Sequence, residues 1–147
     1  MSRVLSGRPV EEAIYAQLRR RISGFSRAPK LVVVRLGEDP ASVSYVHLKD
    51  RRARALGLRS KVVVLPEDTE EVELLRLIDE LNYDDGVDGL LVQLPLPVQI
   101  DQHKIIEAID PKKDVDGFHP LNVGRLWAGE KSGMLPCTPE GIMRLLD

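Results

Sequence analysis

The sequence is poor in cysteine and aromatic residues, and it has no long apolar run. Its single cysteine, Cys137, cannot form an internal disulfide or a cysteine-rich zinc site, and it is compatible with a reducing compartment. No apolar stretch approaches the roughly 20 residues needed to cross a bilayer, and the N-terminus lacks the pattern of a signal peptide. We therefore expect a cytoplasmic protein that does not engage a membrane.

An excess of charge of one sign is also missing. The chain has 21 lysine and arginine residues against 23 aspartate and glutamate residues, a net charge of −2, and no basic stripe that would neutralise phosphates. We expect no nucleic-acid partner. The three histidines, His47, His103 and His119, are not spaced to share a metal ion, so no metal site is predicted. The glycines never form the Gly-x-Gly-x-x-Gly pattern of a dinucleotide-binding turn, so no dinucleotide site is predicted either.

What the sequence does contain is an alternation of short β-branched runs with amphipathic segments. A length of 147 residues suits one domain with a core of its own. The runs predict strands over 31–36, 61–65 and 89–94, and the apolar spacing predicts helices over 10–22, 43–56, 70–81 and 102–109. In the helix over 70–81, Val72, Leu75 and Ile78 are expected to form the buried stripe. The alternation predicts a three-layer α/β fold, with a mostly parallel sheet and helices on both faces.

The end of the sequence begins another helix. Thr138 can cap this helix and Pro139 can open it, but its apolar residues Ile142, Leu145 and Leu146 have barely begun a stripe. A helix without a closing glycine cap suggests an element cut from a longer polypeptide. We therefore expect that residues 1–147 form one domain of a larger protein.

The first candidate site lies where the strand over 31–36 gives way to a helix. Ser42, Tyr45 and Lys49 are spaced to share one helical face, and ligands bind at such strand ends in open α/β sheets. A tyrosine four residues before a lysine is also common on ordinary solvated helices. Alternatively, a lysine in a partly dry cleft serves as an acid or base, and a tyrosine ring stacks on a flat ligand.

Two further segments carry polar side chains near predicted strand ends or turns. Gln93 lies between apolar neighbours at the end of the third strand, where it could orient a lysine amine. Alternatively, the segment is only a strand followed by a loop that proline enforces, which explains Pro95 and Pro97 but not the amide side chain of Gln93. Asp114 and Asp116 flank one apolar residue in a segment rich in turn formers. Asp-Gly turns are frequent, but a buried aspartate could also accept two hydrogen bonds from an amino-pyrimidine edge.

Together, four motifs resemble one family in its own order: DPASVSYVHLK over 39–49, LVQLPLP over 91–97, PKKDVDGFHP over 111–120 and PCTPEG over 136–141. The chain resembles the bifunctional methylenetetrahydrofolate dehydrogenase/methenyltetrahydrofolate cyclohydrolase family over essentially its whole length. The resemblance implies an N-terminal folate-binding catalytic domain of the amino-acid-dehydrogenase-like type. Family members continue into a second domain that binds NADP, or NAD in some members, and that domain is expected to be absent from these residues.

The resemblance also implies residue roles, activity and partners. Lys49 would be the catalytic lysine, Gln93 would tune it, Tyr45 would stack along the folate and Asp116 would hold the pterin edge. Further substrate contacts are implied for Ser42, Val92, Leu94 and Pro95. The implied reactions oxidise 5,10-methylenetetrahydrofolate with NADP and hydrolyse the methenyl product to 10-formyltetrahydrofolate, a one-carbon donor for purine biosynthesis. The family forms homodimers, largely through the second domain.

Other functions stay open at this stage. A catalytically silent folate-binding or assembly module would keep the pocket without the chemistry, and a receiver-like α/β domain would have no folate site and would leave the ordered motifs unexplained. For Cys137, which lies in the last motif, a packing role is expected rather than a nucleophilic one.

Overall fold

A three-stranded parallel sheet forms the centre of the fold. The computed structural model describes residues 6–130 and 132–146. Its strands are β1 (Lys30–Leu36), β2 (Arg59–Leu65) and β3 (Gly89–Val92), in the spatial order β2-β1-β3. Val33 of β1 pairs with Val62 on one side and Leu91 on the other. The predicted α/β class with a parallel sheet is confirmed.

Helices connect the strands and cover the sheet on both faces. They are α1 (Gly7–Ile22), α2 (Pro40–Ala55), α3 (Glu71–Tyr83), α4 (Gln102–Ala108), α5 (Pro120–Trp127) and α6 (Cys137–Leu146). In the part of the chain that the structure describes, none of these helices is long and apolar enough to span a membrane.

The strand period of two divides the apolar side chains of the sheet between two clusters. Val32 and Val34 pack on the side covered by α3 and α4, in a cluster that also contains Leu74, Ile78 and Ile105. The intervening Val33 points to the other side, where it packs with Leu91 of β3 and Val46 of α2. We call the α3–α4 side the core face and the α2 side the site face.

Helix α2 starts directly beyond the carboxyl end of β1 because the local sequence caps it there. Asp39 accepts a hydrogen bond from the Ser42 backbone N–H at 2.7 Å, and Pro40 occupies the first turn, where a missing N–H costs nothing. Gly57, with a φ of 91°, follows the helix in a left-handed conformation that suits glycine. The predicted stop at Gly57 is therefore confirmed, and α2 has its N-terminus at the carboxyl edge of the sheet.

The buried stripe of α3 differs from the predicted one. The structure buries Leu74, Ile78 and Leu81, whereas Val72 is 54% exposed. Both sets of residues satisfy the helical period, and only the position of the sheet selects between them. The prediction was correct for Ile78 and wrong for Val72, and Leu75 is only partly buried against the same cluster.

Several element boundaries also differ. Strand β3 ends at Val92 rather than at residue 94; the Gln93 N–H still bonds to the Val34 carbonyl at 2.8 Å, but Pro95 has no N–H to continue the ladder. Helix α6 begins at Cys137, before the predicted cap at Thr138. Helix α5 was not predicted, although His119 caps it through Nδ1, which accepts from the Leu121 N–H, and a proline follows in the first turn.

Candidate functional site

Two polar side chains meet on the site face, at the carboxyl edge of the sheet. Lys49 Nζ donates a hydrogen bond to Gln93 Oε1 at 3.1 Å, joining residues 44 positions apart in the sequence. The alternation along β3 explains this contact: Gln93 lies two residues after Leu91, and Leu91 packs against Val46 of α2. The expected meeting of lysine and glutamine is thus present in the structure.

The glutamine amide is held at both ends. Gln93 Nε2 donates to the Leu94 carbonyl at 2.7 Å, which leaves Oε1 directed at the lysine amine. The Gln93 backbone N–H is tied to β1 through Val34. A lysine is flexible, so an acceptor fixed in this way restricts where its amine can lie.

The remaining predicted residues of α2 differ in accessibility. Tyr45 is 60% exposed, so much of its ring surface is available for stacking against a flat ligand. Ser42 is only 5% exposed and lies in the first turn of the helix, which leaves little of its surface for a ligand. The shared helical face is therefore open at Tyr45 and largely covered at Ser42.

Asp116 lies close enough to Lys49 for the two charges to influence each other. Burial raises the pKa of the Asp116 carboxyl above its ordinary value, the positive charge of Lys49 opposes that rise, and the negative charge of Asp114 adds to it. The structure therefore brings three of the four predicted catalytic groups, Lys49, Gln93 and Asp116, to one edge of the sheet, and Tyr45 lies one helical turn from the lysine.

The predicted apolar residues of the pocket are placed unequally. Val92 is buried in the cluster of the core face, so its side chain points away from Gln93. Val92, Leu94, Asp114 and Asp116 are among the residues that line a cavity of about 20 Å³, which has room for about one water molecule. Pro95 is exposed. Alternation along the strand turns the side chain of Val92 to the face opposite Gln93, but Val92 still lines the same small cavity as Asp116.

Cys137 also belongs to the neighbourhood of the site. Its thiol donates to the Val115 carbonyl at 3.3 Å, although the residue is exposed. Burial of the sulfur raises the pKa of the Cys137 thiol, the charge of Asp116 adds to the rise and the charge of Lys49 opposes it. A raised pKa disfavours the thiolate, so the surroundings do not activate a nucleophile. Because Cys137 is exposed, the expected packing role accounts for only part of its environment.

Sequence reasoning did not identify Asp114 and Asn122 as residues that support the Asp116 loop from inside. Asp114 is 3% exposed and Asn122 is 1% exposed, and their side chains are hydrogen-bonded to each other. The pattern Asp-Val-Asp does not indicate which of the two aspartates is buried. No signal in the sequence singles out Asn122.

The described residues offer little to a metal or a dinucleotide. Across residues 6–130 and 132–146, no group of three or more histidine, cysteine, aspartate or glutamate side chains could hold a metal ion. The sequence has no glycine-rich turn of the type that cradles a pyrophosphate. The chemistry available here is that of an amine, an amide and a carboxylate.

These features define an α/β domain with a lysine-centred polar site at the carboxyl edge of its parallel sheet. The family model for the catalytic domain of tetrahydrofolate dehydrogenase/cyclohydrolase matches residues 5–116, and the chain belongs to this family.

Relatives extend the similarity over nearly the whole chain. The "Bifunctional protein FolD" of Thermus thermophilus is 61% identical over 145 residues, covering 99% of this chain and 51% of the relative, and that of Enterococcus faecalis is 49% identical over 150 residues, covering 100% and 53%. The crystal structure of the bifunctional enzyme FolD-methylenetetrahydrofolate dehydrogenase/cyclohydrolase from Campylobacter jejuni superposes with a TM-score of 0.92 at 44% identity, covering 97% of this chain and 51% of the other.

A further solved relative contains ligands. The methylenetetrahydrofolate dehydrogenase-cyclohydrolase (FolD) of Trypanosoma brucei, described as complexed with NADP cofactor and inhibitor, has a TM-score of 0.92 at 34% identity and is covered over 51% of its length. The chain spans about half the length of the relatives it matches.

Proposed function

We propose that residues 1–147 are the folate-binding catalytic domain of a bifunctional methylenetetrahydrofolate dehydrogenase and methenyltetrahydrofolate cyclohydrolase. The observation that carries the proposal is the Lys49–Gln93 hydrogen bond beside Asp116, at the edge of the sheet where α/β domains bind ligands. Family membership and the names of the relatives support the same activity.

The hydrolytic step needs a group that moves protons, and Lys49 is suited to it. Water attacks the cationic methenyl carbon, and one water proton is transferred away through the Lys49 side chain. The carbon–nitrogen bond to N5 then opens as N5 takes up a proton, which leaves the formyl group on N10 and releases one proton overall. General acid–base catalysis of this kind contributes about 10²- to 10⁴-fold to a rate. Gln93 holds the amine in position through its carbonyl oxygen.

Binding of the pterin calls for a flat contact and a polar edge. The Asp116 carboxylate accepts two hydrogen bonds from the amino-pyrimidine edge, each worth about 1.5–3 kcal/mol because the acceptor is charged. The exposed ring of Tyr45 stacks along the ligand. Leu94 and Pro95 border the site after Gln93, Ser42 supports the first turn of α2, and Val92 acts from below through packing.

The oxidative step requires NADP, which supplies the hydride acceptor when it is bound. The residues present do not form a dinucleotide cradle, so in this proposal the remaining half of a full-length protein binds NADP and these residues bind and orient the folate. The chain alone is then a poor dehydrogenase. In this proposal, the full-length protein is a cytoplasmic homodimer that produces 10-formyltetrahydrofolate for purine biosynthesis.

The decay of the 5,10-methenyltetrahydrofolate chromophore tests this function directly. The purified chain should bind this folate and accelerate its hydrolysis above the spontaneous rate. Binding without acceleration would instead indicate a catalytically silent folate-binding module. Absence of binding would contradict the folate assignment altogether.

A further inference from the structure

The loop that carries Asp116 is organised around one buried carboxylate. Asp114 Oδ1 accepts from the Gly117 N–H at 3.0 Å, and Asp114 Oδ2 accepts from the His119 N–H at 2.9 Å. Oδ2 also accepts from Asn122 Nδ2 at 2.9 Å. Asp116 therefore lies in the middle of a turn in which the N–H groups of two later residues, Gly117 and His119, are tied back to Asp114.

The beginning of the same turn is tied to the sheet. The Leu90 N–H bonds to the Lys113 carbonyl at 2.7 Å, and the Val115 N–H bonds to the Leu90 carbonyl at 3.4 Å. Asp116 is thus held by main-chain pairing with β3 on one side and by the Asp114 carboxylate on the other. A side chain on such a loop has few directions in which it can point.

The Asp114 carboxylate is stabilised by neutral donors alone. None of the ion pairs formed by residues 6–130 and 132–146 involves Asp114. Burying a charge without a counterion is costly unless hydrogen bonds satisfy it, and each of the three N–H groups meets that need. The carboxylate of Asp114 is also turned inward, so it is in a position to shape the loop rather than to contact a ligand.

Asn122 contributes through the donor end of its amide. Its Nδ2 bonds to Asp114 and to the Pro111 carbonyl, both at 2.9 Å, so it links the start of the loop to the carboxylate. Its buried Oδ1 finds no hydrogen-bond partner in the described part of the chain. An unsatisfied buried carbonyl is unfavourable, which indicates that the benefit of an asparagine here lies in the two hydrogen bonds that its amide NH2 group donates.

We propose that Asp114, held by Asn122, is a positioning residue that fixes the Asp116 turn and thereby directs the Asp116 carboxylate at the bound folate. The proposal rests on the proposed folate function and adds to it a buried acid–amide pair that acts only through Asp116. Asp114 itself is not a ligand for the substrate.

Calorimetric titration with 5-formyltetrahydrofolate, a folate that does not hydrolyse during the measurement, tests this role on the whole chain. Asp114→Asn should raise the dissociation constant roughly tenfold, because the amide that replaces one oxygen cannot accept the bonds from His119 and Asn122. Asp116→Asn should weaken binding by a similar factor. The double variant should bind no more weakly than Asp116→Asn alone, since Asp114 acts through the group already removed.

Two controls separate positioning from a general loss of stability. Ile78→Val removes one methylene from the core face and should leave the dissociation constant unchanged. Exchanging the pair, in Asp114→Asn with Asn122→Asp, restores an amide-to-carboxylate bond and should recover part of the binding lost in Asp114→Asn. In the chromophore assay Asp114→Asn should raise KM and leave kcat nearly unchanged. A stability defect would instead lower the fraction of active protein, which lowers the apparent kcat and leaves KM unchanged.

The outcomes distinguish this inference from the function on which it rests. If the unsubstituted chain does not bind 5-formyltetrahydrofolate, the proposed function is wrong and this inference falls with it. If the unsubstituted chain binds and folded Asp114→Asn binds equally well, or if the losses of Asp114→Asn and Asp116→Asn add up, only the positioning role is wrong. Should Asp114→Asn fail to fold, Asn122→Ser gives the same comparison, with an expected loss of roughly threefold.

Discussion

The two faces of the sheet are packed very differently. On the core face, twelve buried apolar residues of the described chain form one cluster with α3 and α4, whereas on the site face only three do so with α2. Burial of apolar surface is the dominant favourable term in folding, so the core face carries most of the stability. The site face, which needs little of α2 for packing, can present Tyr45 and Lys49 to a ligand. If the proposed folate site is correct, stability and function lie on opposite sides of one sheet.

Removing the amine on the site face should have the largest effect on activity. Lys49→Met keeps the length of the side chain but removes the proton carrier, so hydrolysis of 5,10-methenyltetrahydrofolate should fall by about 10²- to 10⁴-fold. The urea unfolding midpoint should stay close to that of the unsubstituted chain. Lys61→Met, which changes an exposed lysine of β2, is the matched control and should hydrolyse normally. Wild-type rates in Lys49→Met would remove the catalytic role.

Truncation on the core face should affect stability instead. Ile78 is fully buried between α3 and the sheet, and Ile78→Ala should lower the free energy of unfolding by about 2–5 kcal/mol. Val46→Ala, on the thinly packed site face, should cost about 1–2 kcal/mol, since two methyl groups are lost. Denaturant unfolding measures both values. An equal cost at the two positions would mean that the faces contribute equally, contrary to the comparison.

Replacing a glycine by alanine should destabilise the loop beside the site more than a loop away from it. Gly117 and Gly129 both have positive φ values, 71° and 74°. A Cβ added at Gly117 would lie 2.6 Å from the Leu135 carbonyl carbon, whereas a Cβ added at Gly129 would meet nothing within 4 Å. Gly129→Ala should therefore cost about 1 kcal/mol for the strained backbone, and Gly117→Ala should cost about 1–2 kcal/mol more. Thermal unfolding of the pair isolates the steric contribution. Equal shifts in Tm would contradict the close packing of 135–136 on the Asp116 turn.

The smallest expected effect concerns two aspartates, Asp116 and Asp88, which should change the pH dependence of folding stability in opposite directions. Burial raises the pKa of the Asp116 carboxyl in the folded chain. The contribution of this carboxyl to the free energy of unfolding is therefore fully present below the unfolded pKa of about 3.9, and it is lost as pH rises through the folded pKa. The stability of Asp116→Asn relative to the unsubstituted chain should therefore increase from acid to neutral pH. Urea unfolding at several pH values between acid and neutral measures this trend.

Asp88 provides the opposite case. The hydrogen bond from Arg27 lowers the pKa of the Asp88 carboxyl, so its favourable contribution is present above the unfolded pKa and is lost as pH falls through the folded value. Asp88→Asn should thus be less stable than the unsubstituted chain at neutral pH, and this deficit should shrink in acid. The same trend in both variants would contradict the assigned burial of Asp116.

Local patterns predicted the elements well because helix and strand periods are properties of the backbone. Short apolar runs indicated each of the three strands in the described part of the chain, and proline and glycine placed the start and stop of α2 within three residues. The patterns failed where a choice depended on a distant neighbour. The apolar positions of α3 allow two stripes, and only contact with β1 and β3 selects the one that contains Leu74. Helix α5 was missed because its first residue closes a segment dominated by turn formers.

The candidate site followed the same rule. Motifs singled out Lys49, Gln93 and Asp116, which the structure brings to one edge, because a strand end and the helix that follows it are neighbours in any parallel sheet. They did not separate Val92 from Gln93, whose side chains point to opposite faces. They also did not indicate that Asn122 reaches across eight residues to hold Asp114, because such a bond depends on the path of the loop and not on local spacing.

The sequence by itself determined the α/β class, the order of the elements and the polar residues at the strand ends. These follow from periodicity, capping and the geometry of single peptide units, all of which act over a few residues. Only the tertiary structure decided which side of each helix is buried, how thinly the site face is packed, and which of the two aspartates in Asp-Val-Asp is buried. These depend on where the chain places apolar surface and hydrogen-bond donors that are distant in sequence, and burial then sets the free energy of each alternative.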